Sequence, residues 1–328
     1  MKVLVTGCAG FIGGNFARAL DAEGIPFVGV DNFTPSYALW VKKANIKPLL
    51  GSKFGKFIKA DICAKKLYGK LSREGITHIV HLAARTGVRD STRVPEEYLG
   101  TNILGTLNVL EFARDNNVEN VVLASTSSVY GRNELPFSEG QAVSTPMSIY
   151  AASKIGMESL AHSFHNVYGV PMTILRLFTV YGPGGRPDMA VYTFTDLISR
   201  GEPINIYGSL DSKRDFTFVS DVVDALLLAL RRNAGFDVFN IGNSDSRSVG
   251  ELIGIIEKNV GAKAKKRFVA KAREDVDATL ADISKARGQL GYNPKVRLEE
   301  GIEKFVQWFN SVQFRGRAGV SRLAKKRA

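Results

Sequence analysis

The chain has 328 residues, 45% hydrophobic and 23% charged, a globular composition that excludes whole-chain disorder and suits one large α/β unit or two interlocked lobes. Lys plus Arg number 44 against 32 Asp plus Glu, and the resulting formal charge of +12 brings polyanions into the partner classes to be weighed. The longest apolar stretch, around Val222 to Leu230, is broken by Asp224 and falls well short of the roughly 18 to 20 residues of a membrane span.

In chain order, the start MKVLVTGCAGFIGG reads as a strand over Val3 to Thr6 whose apolar run is cut by glycines, which argues against a secretory signal. A helix from about Gly13 to Glu23 follows, then strands over Phe27 to Asp31 and Phe57 to Asp61. The rhythm continues with strand Ile79 to Leu82, helix Asn102 to Asn116, strand Asn120 to Ser125, helix Tyr150 to Tyr168 and strand Met172 to Leu177. Strands alternating with helices predict a doubly wound parallel sheet covered on both faces. After Leu177 a Gly/Pro-rich segment, YGPGGRPD, precedes a helix near Val191 to Arg200 and a short strand, Ile204 to Tyr207. Residues 219–242 read as one more helix and buried strand of the large sheet. The expected organisation is a Rossmann unit over 1–177, with 213–243 returning to it, interleaved with a smaller C-terminal substrate-binding lobe of 178–212 and 244–313. From Phe314 the pattern stops, and 314–328 reads as a basic, disordered tail; it holds six of the twelve excess charges and leaves +6 on the first 314 residues.

Gly7, Gly10 and Gly13 follow the first strand directly and open the first helix. Three glycines at this spacing are weak as a string, but here they permit the tight turn and close backbone approach that a pyrophosphate at a helix N-terminus requires. Asp31 ends the second strand, where an acid accepts hydrogen bonds from the adenosine ribose and repels a 2′-phosphate. No Arg follows it, only Asn32 and Phe33, so NAD is favoured over NADP. Asp61, with Ile62, ends the next strand beside the place for the adenine, or caps that strand and nothing more.

Tyr150 and Lys154 lie four apart on one helix face, where an ammonium lowers a phenol toward use as a general base. Thr126, in ASTSSVYG, stands at the end of the fifth strand, where active sites of doubly wound sheets lie. His162 and His165, and likewise His78 and His81, lack further ligands at metal-site spacing, so no metal is expected. The two cysteines, Cys8 and Cys63, form neither a disulfide framework nor a zinc cluster and fit a reducing cytoplasm.

The strings TGCAGFIG, DNF, HLAAR, TNILGTLNVLE, STSSVYG, YAASK, RLFTVYGP, RDFTFVSDV and ADISKARGQLGY together resemble the extended short-chain dehydrogenase/reductase family, specifically its NAD-dependent sugar-nucleotide epimerases and dehydratases, over about residues 1–312. The resemblance implies that Tyr150 is the acid/base, that Lys154 orients the nicotinamide ribose and tunes Tyr150, and that Thr126 bonds the sugar hydroxyl being oxidised. It implies NAD contacts at Gly7, Gly10, Phe11, Ile12 and Gly13, at Asp31, Asn32, Asp61 and Ile62, and at Leu82, Ala83, Ala84 and Lys154. Helices 102–116 and 150–168 are those through which relatives form homodimers, although their apolar residues equally suit the sheet-facing core.

Dehydratases of this family carry an Asp-Glu pair directly after the Ser/Thr; Ser127 and Ser128 stand there, which disfavours water elimination. Thr179 together with GRPDMA looks like the UDP-glucuronate 4-epimerases, in which C4 is oxidised to a 4-keto intermediate and hydride returns to the other face. Thr179, Arg186 and Ser127 are then candidates to hold the C5 carboxylate, with a loop-anchoring or phosphate-binding Arg186 as the alternative. The same likeness points to Arg214 as a diphosphate contact and Asp275 as a ribose contact, with Arg273 as a substitute for the Arg or Gln that relatives show just before that Asp. UDP-glucose/UDP-galactose epimerisation is the runner-up reaction and UDP-glucuronate decarboxylation the next. A non-catalytic NAD-binding protein with a regulatory or nucleic-acid role is the competing class; no RNA-binding signature and no aromatic residue among the basic ones of the tail favour it, and no nucleic-acid partner is expected.

Overall fold

The computed structural model describes residues 1–232, 235–271 and 274–324, with side chains as far as position 312. Seven strands form the large sheet: β1 (Val3–Thr6), β2 (Phe27–Asp31), β3 (Gly55–Lys59), β4 (His78–His81), β5 (Asn120–Thr126), β6 (Met172–Leu177) and, much later in the chain, Phe236–Ile241. All pair in parallel, and the order from one edge is β3, β2, β1, β4, β5, β6 and then the late strand. The order reverses between β1 and β4, so this α/β sheet is Rossmann-like and opens a crevice at the carboxyl ends of those strands.

Near-continuous apolar strands such as VLVT and NVVLAST are buried throughout, as strands covered on both faces must be. Helices α1 (Phe11–Ala22), α2 (Leu39–Ile46), α3 (Lys66–Leu71), α4 (Pro95–Leu99), α5 (Gly105–Asp115), α6 (Ile149–Tyr168), α7 (Ala190–Ser199) and α8 (Val219–Leu230) follow in chain order. One face of the sheet packs on Phe16 and Leu20 of α1 and on Val222, Leu226 and Leu230 of α8. The other packs on Val109, Leu110 and Phe112 of α5 and on Met157, Ala161 and Phe164 of α6.

A second group of elements contains the three-residue strand β7 (Thr179–Tyr181), β8 (Pro203–Tyr207) and β9 (Lys213–Phe218). With the late sheet strand numbered β10, the group is completed by β11 (Ser246–Ser248), β12 (Lys265–Val269), α9 (Val249–Val260) and α10 (Leu298–Ala324). It has its own core of Tyr192, Ile198, Ile204, Phe216, Leu252, Ile302 and Phe305. Two local departures from the sequence reading have simple causes. Residues 213–218 do not return to the large sheet: the edge of β6 is already taken by β10, and β9 instead lies between β7 and β11. The chain does not leave the helical pattern at Phe314: α10 runs on to Ala324, Arg, Ala and Leu being good helix formers although Gly316 and Gly319 each cost the helix about 1 kcal/mol. The side chains of that segment, residues 325–328, and Arg273 lie outside the described residues.

Candidate active site

At the carboxyl ends of the large sheet lies a cavity of about 460 Å³. Among the described residues, its walls contain every residue singled out above for cofactor, chemistry or substrate except Asp61.

The cofactor end is built by backbone geometry. Gly7 has φ of +69°, and a Cβ there would sit 2.7 Å from the Ala83 nitrogen; a Cβ on Gly13 would sit 2.2 Å from the Gly7 carbonyl oxygen. Helix α1 starts at this turn with no side-chain cap and no acid in its first turn, so its amide N–H groups and positive dipole end are left for an anion. The buried Asp31 accepts hydrogen bonds from the backbone N–H of Ala9 (3.1 Å) and Phe33 (2.7 Å) and pairs with Lys42 at 3.2 Å. An uncapped helix end, a glycine cradle and an acid at the second strand's tip fit a dinucleotide.

Asp61 takes up local bonds. Strand β3 ends two residues before it, and its carboxylate accepts from the Cys63 backbone N–H and the Asn32 side-chain amide, both at 2.8 Å. Burial works against the charge, but these bonds hold its carboxyl below the usual range. Asp61 thus caps the loop after β3, and Ile62 beside it lies in the cavity wall.

Thr126, the last residue of β5, stays extended (φ −150°, ψ 148°), and its hydroxyl accepts from the Ser128 N–H at 3.2 Å. Ser127 and Ser128 open the following turn in the same wall. Across the cavity, Ser148 adopts extended backbone angles and accepts from the Ala151 N–H at 3.1 Å, which fixes where α6 begins. Tyr150 thus falls in its first turn and Lys154 one turn on. Tyr98 steadies the pair from behind: its ring meets Tyr150 edge-on at 6.2 Å, and its hydroxyl donates to the Thr86 and Gly87 carbonyls. Asn102, in a π-helical turn at Gly100–Leu104, clamps the backbone of Arg85 at both N–H and C=O and donates to Ser153 of α6.

Burial raises the Tyr150 phenol; the Thr126 hydroxyl and the Arg186 guanidinium pull it back only in part. Arg186 is thus a cation that favours the Tyr150 phenolate, and the Lys154 ammonium, one turn along α6, donates to the Ala124 carbonyl at 2.7 Å. Burial brings Lys154 itself down to about 8, against the Glu158 carboxylate, which favours its charged form. Its charged form is the costly one in the fold, so that cost is greatest below about pH 8 and is relieved as pH rises toward its ordinary value of 10.5. Competitive acetylation of the NAD-free protein should give Lys154 a midpoint near 8 while exposed lysines titrate near 10; a midpoint with the exposed lysines would refute this.

The substrate end comes from the second group. Asn15 and Asn45 donate to the carbonyls of Pro183 and Gly184, holding the glycine loop against α1 and α2 and so putting Arg186 into the cavity wall near Thr179. Arg214 donates to the backbone carbonyls of Lys213, Val276 and Asp277, and Asp275 pairs with Arg89 at 2.6 Å, whose guanidinium stacks 3.7 Å above the Tyr207 ring. Sequence reading missed Tyr37, Lys42 and Thr86 in the wall. The basic partner of Asp31 eleven residues on had no motif to mark it.

The histidines are structural. His81 is fully buried between the hydroxyls of Thr6 (2.7 Å) and Thr106 (3.0 Å), and burial pushes its imidazole down to about 3. His162 and His165 pack on Phe236. No helix among the described residues is long and apolar enough to cross a membrane.

Comparison with known proteins places this geometry. Residues 3–242 match the NAD dependent epimerase/dehydratase family. An uncharacterized protein of Methanocaldococcus jannaschii is 43% identical over 94% of this chain and 96% of its own. A UDP-glucuronate 4-epimerase of Thermodesulfobacterium geofontis is 40% identical over 93% of this chain and 95% of its own. Among solved structures, the UDP-glucuronic acid 4-epimerase of Bacillus cereus, in complex with UDP-glucuronic acid and NAD, superposes with a TM-score of 0.91 at 35% identity, covering 95% of this chain and all of that one.

Proposed function

The chain belongs to the NAD dependent epimerase/dehydratase family, and from that premise we propose that it is an NAD-dependent 4-epimerase interconverting UDP-glucuronate and UDP-galacturonate. The observation that carries the choice of a uronate is Arg186, a largely buried guanidinium in the same wall as Tyr150 and Thr126. Asp188 holds one edge of that guanidinium, and a uronate offers the remaining N–H groups a carboxylate where a neutral hexose offers only hydroxyls.

Gly7, Gly10, Phe11, Ile12 and Gly13 would hold the pyrophosphate of NAD, Asp31 and Asn32 the adenosine ribose, and Lys154 the nicotinamide ribose. What NAD supplies when bound is a hydride acceptor and donor at C4 of the sugar. Tyr150 takes the proton of the C4 hydroxyl at its phenolic oxygen and gives it back after the 4-keto sugar has turned, while Thr126 bonds the same oxygen. Arg186, Thr179 and Ser127 hold the carboxylate, which guards a β-keto acid against loss of CO₂ during that turn. Ser128 completes the sugar's wall, and Arg214 and Asp275 face the nucleotide end.

Exposed Leu99 and Leu104 before α5, with Val167 and Tyr168 at the end of α6, support a homodimer through these helices, which its mass in solution checks. A cytoplasmic setting is supported by Cys8 and Cys63, both free thiols.

Incubation of the purified protein with UDP-glucuronate, UDP-glucose and UDP-galactose in turn, with products identified by NMR, tests the reading. UDP-galacturonate from the first is expected; conversion of UDP-glucose with UDP-glucuronate untouched would establish the hexose epimerase instead.

A further inference from the structure

Arg186 meets the cavity with half of its guanidinium already committed. Its side-on edge, Nε and Nη2, forms a bidentate pair with Asp188, with the Nε bond at 3.1 Å. Its Nη1 donates to the Thr86 hydroxyl, which stands in the cavity wall on the loop after β4. Asp188 itself is not part of that wall: its carboxylate is 47% exposed on the outer side of the loop, while Arg186 is 15% exposed. A guanidinium has two bidentate edges, so a carboxylate on the side-on edge leaves N–H groups of Nη1 and Nη2 for a second acceptor on the end-on edge.

We propose that Asp188 is the positioning residue for uronate recognition: it grips Arg186 from outside the cavity and fixes the torsion that presents the end-on edge, with the Thr86 hydroxyl, to the substrate's carboxylate. The inference rests on the uronate reading above and adds to it a residue that touches neither substrate nor cofactor. Charge gives the arrangement its logic. A buried arginine with no counter-ion is costly, and one whose fork rotates freely offers a carboxylate poor geometry. Asp188 answers both needs, and because it faces water on its other side it holds the cation without filling the space the sugar needs. The loop does not depend on Asp188 for its place. Asn15 and Asn45 hold the carbonyls of Pro183 and Gly184, and the Thr193 hydroxyl donates to the Pro187 carbonyl at 2.8 Å, so removal of Asp188 acts on the direction of Arg186 and spares the backbone.

The test is calorimetric binding of UDP-glucuronate, UDP-glucose and UDP to the NAD-loaded protein. Asp188→Ala should weaken UDP-glucuronate about tenfold and change UDP and UDP-glucose by less than about twofold. Asp188→Glu, which keeps the carboxylate, should recover most of the loss. In an Arg186→Leu background, Asp188→Ala should cost UDP-glucuronate nothing further, because the residue acts only through Arg186. Equal weakening of all three ligands, or a loss that persists without Arg186, would overturn the positioning role and make Asp188 a plain loop anchor. A wild-type protein that prefers UDP-glucose to UDP-glucuronate would overturn the uronate reading itself, a different outcome visible before any variant is made.

Discussion

Tyr150→Phe is expected to lower turnover on every UDP-sugar by on the order of 10³-fold or more, with substrate and NAD binding nearly intact. The variant removes one oxygen atom and keeps the ring, so the edge-on contact with Tyr98 at 6.2 Å survives and α6 keeps its start at the Ser148 cap. What is lost is the group that takes the C4 hydroxyl proton. Among the polar groups in the surrounding wall, Thr126, Ser127 and Ser128 are hydroxyls of far higher pKa, and Lys154 is tied to the Ala124 carbonyl. Arg186 and Thr126 pull the Tyr150 phenol toward the phenolate, against the rise that burial causes. Steady-state rates with calorimetric binding of UDP-glucuronate separate the effects: unchanged turnover would remove Tyr150 from the chemistry, and lost binding would give it a structural role.

Arg176→Met should destabilise the fold by about 3 to 5 kcal/mol, the penalty for stranding a buried charge. Arg176 on β6 and Glu158 on α6 lie directly behind the active site, 6% and 9% exposed, joined at 2.7 Å. Burial alone would lower the guanidinium, but Glu158 and Tyr130 reverse that and hold it above its ordinary value. The pair belongs to a chain of bonds: Glu158 accepts from Ser125, Arg176 donates to the Tyr130 hydroxyl at 3.0 Å, and Tyr130 donates to Asn240 at 2.7 Å. Arg176→Met leaves Glu158 charged in an apolar setting, whereas Arg176→Met with Glu158→Leu removes both charges and should recover much of the stability. Recovery in that double variant would come with a cost in function. Glu158 lies one helical turn from Lys154 and favours its ammonium, so Lys154 should then lose its proton below about 8. Urea denaturation of the two variants checks the first claim, and an equal loss in both would refute it.

Much of this protein is legible in its sequence because the signals are local. The bounds of β1, β2 and β6 follow from apolar runs closed by Gly, Pro or a polar residue, and α1 and α6 follow from helical spacing to within about two residues at each end. Tyr150 and Lys154 share a face by helical period alone, and the glycines, Asp31 and Thr126 sit at strand ends, which is where a parallel sheet collects its chemistry.

What the sequence could not decide are matters of pairing across long separations. Whether 213–218 joins the large sheet depends on which edge of β6 is free, and β10, some sixty residues later, occupies it. Asp61 and Asp31 are the same kind of residue at the tips of neighbouring strands. Both accept backbone N–H groups, and only the fold shows that Asp31 is also in the cavity wall and paired with Lys42. The pairing of Lys154 with Tyr150 is visible in a string of letters, because residues four apart on a helix share a face. Arg186, brought from 36 positions away by a glycine loop pinned to α1 and α2, is visible only once the chain is folded. Periodicity and strand-end chemistry determine the fold class and where the reacting groups stand, since both depend on neighbours along the chain, while the reaction type is what the family resemblance implies. Tertiary structure determines which charges face one another, since electrostatic partners are set by distance in space and by the water that folding removes between them.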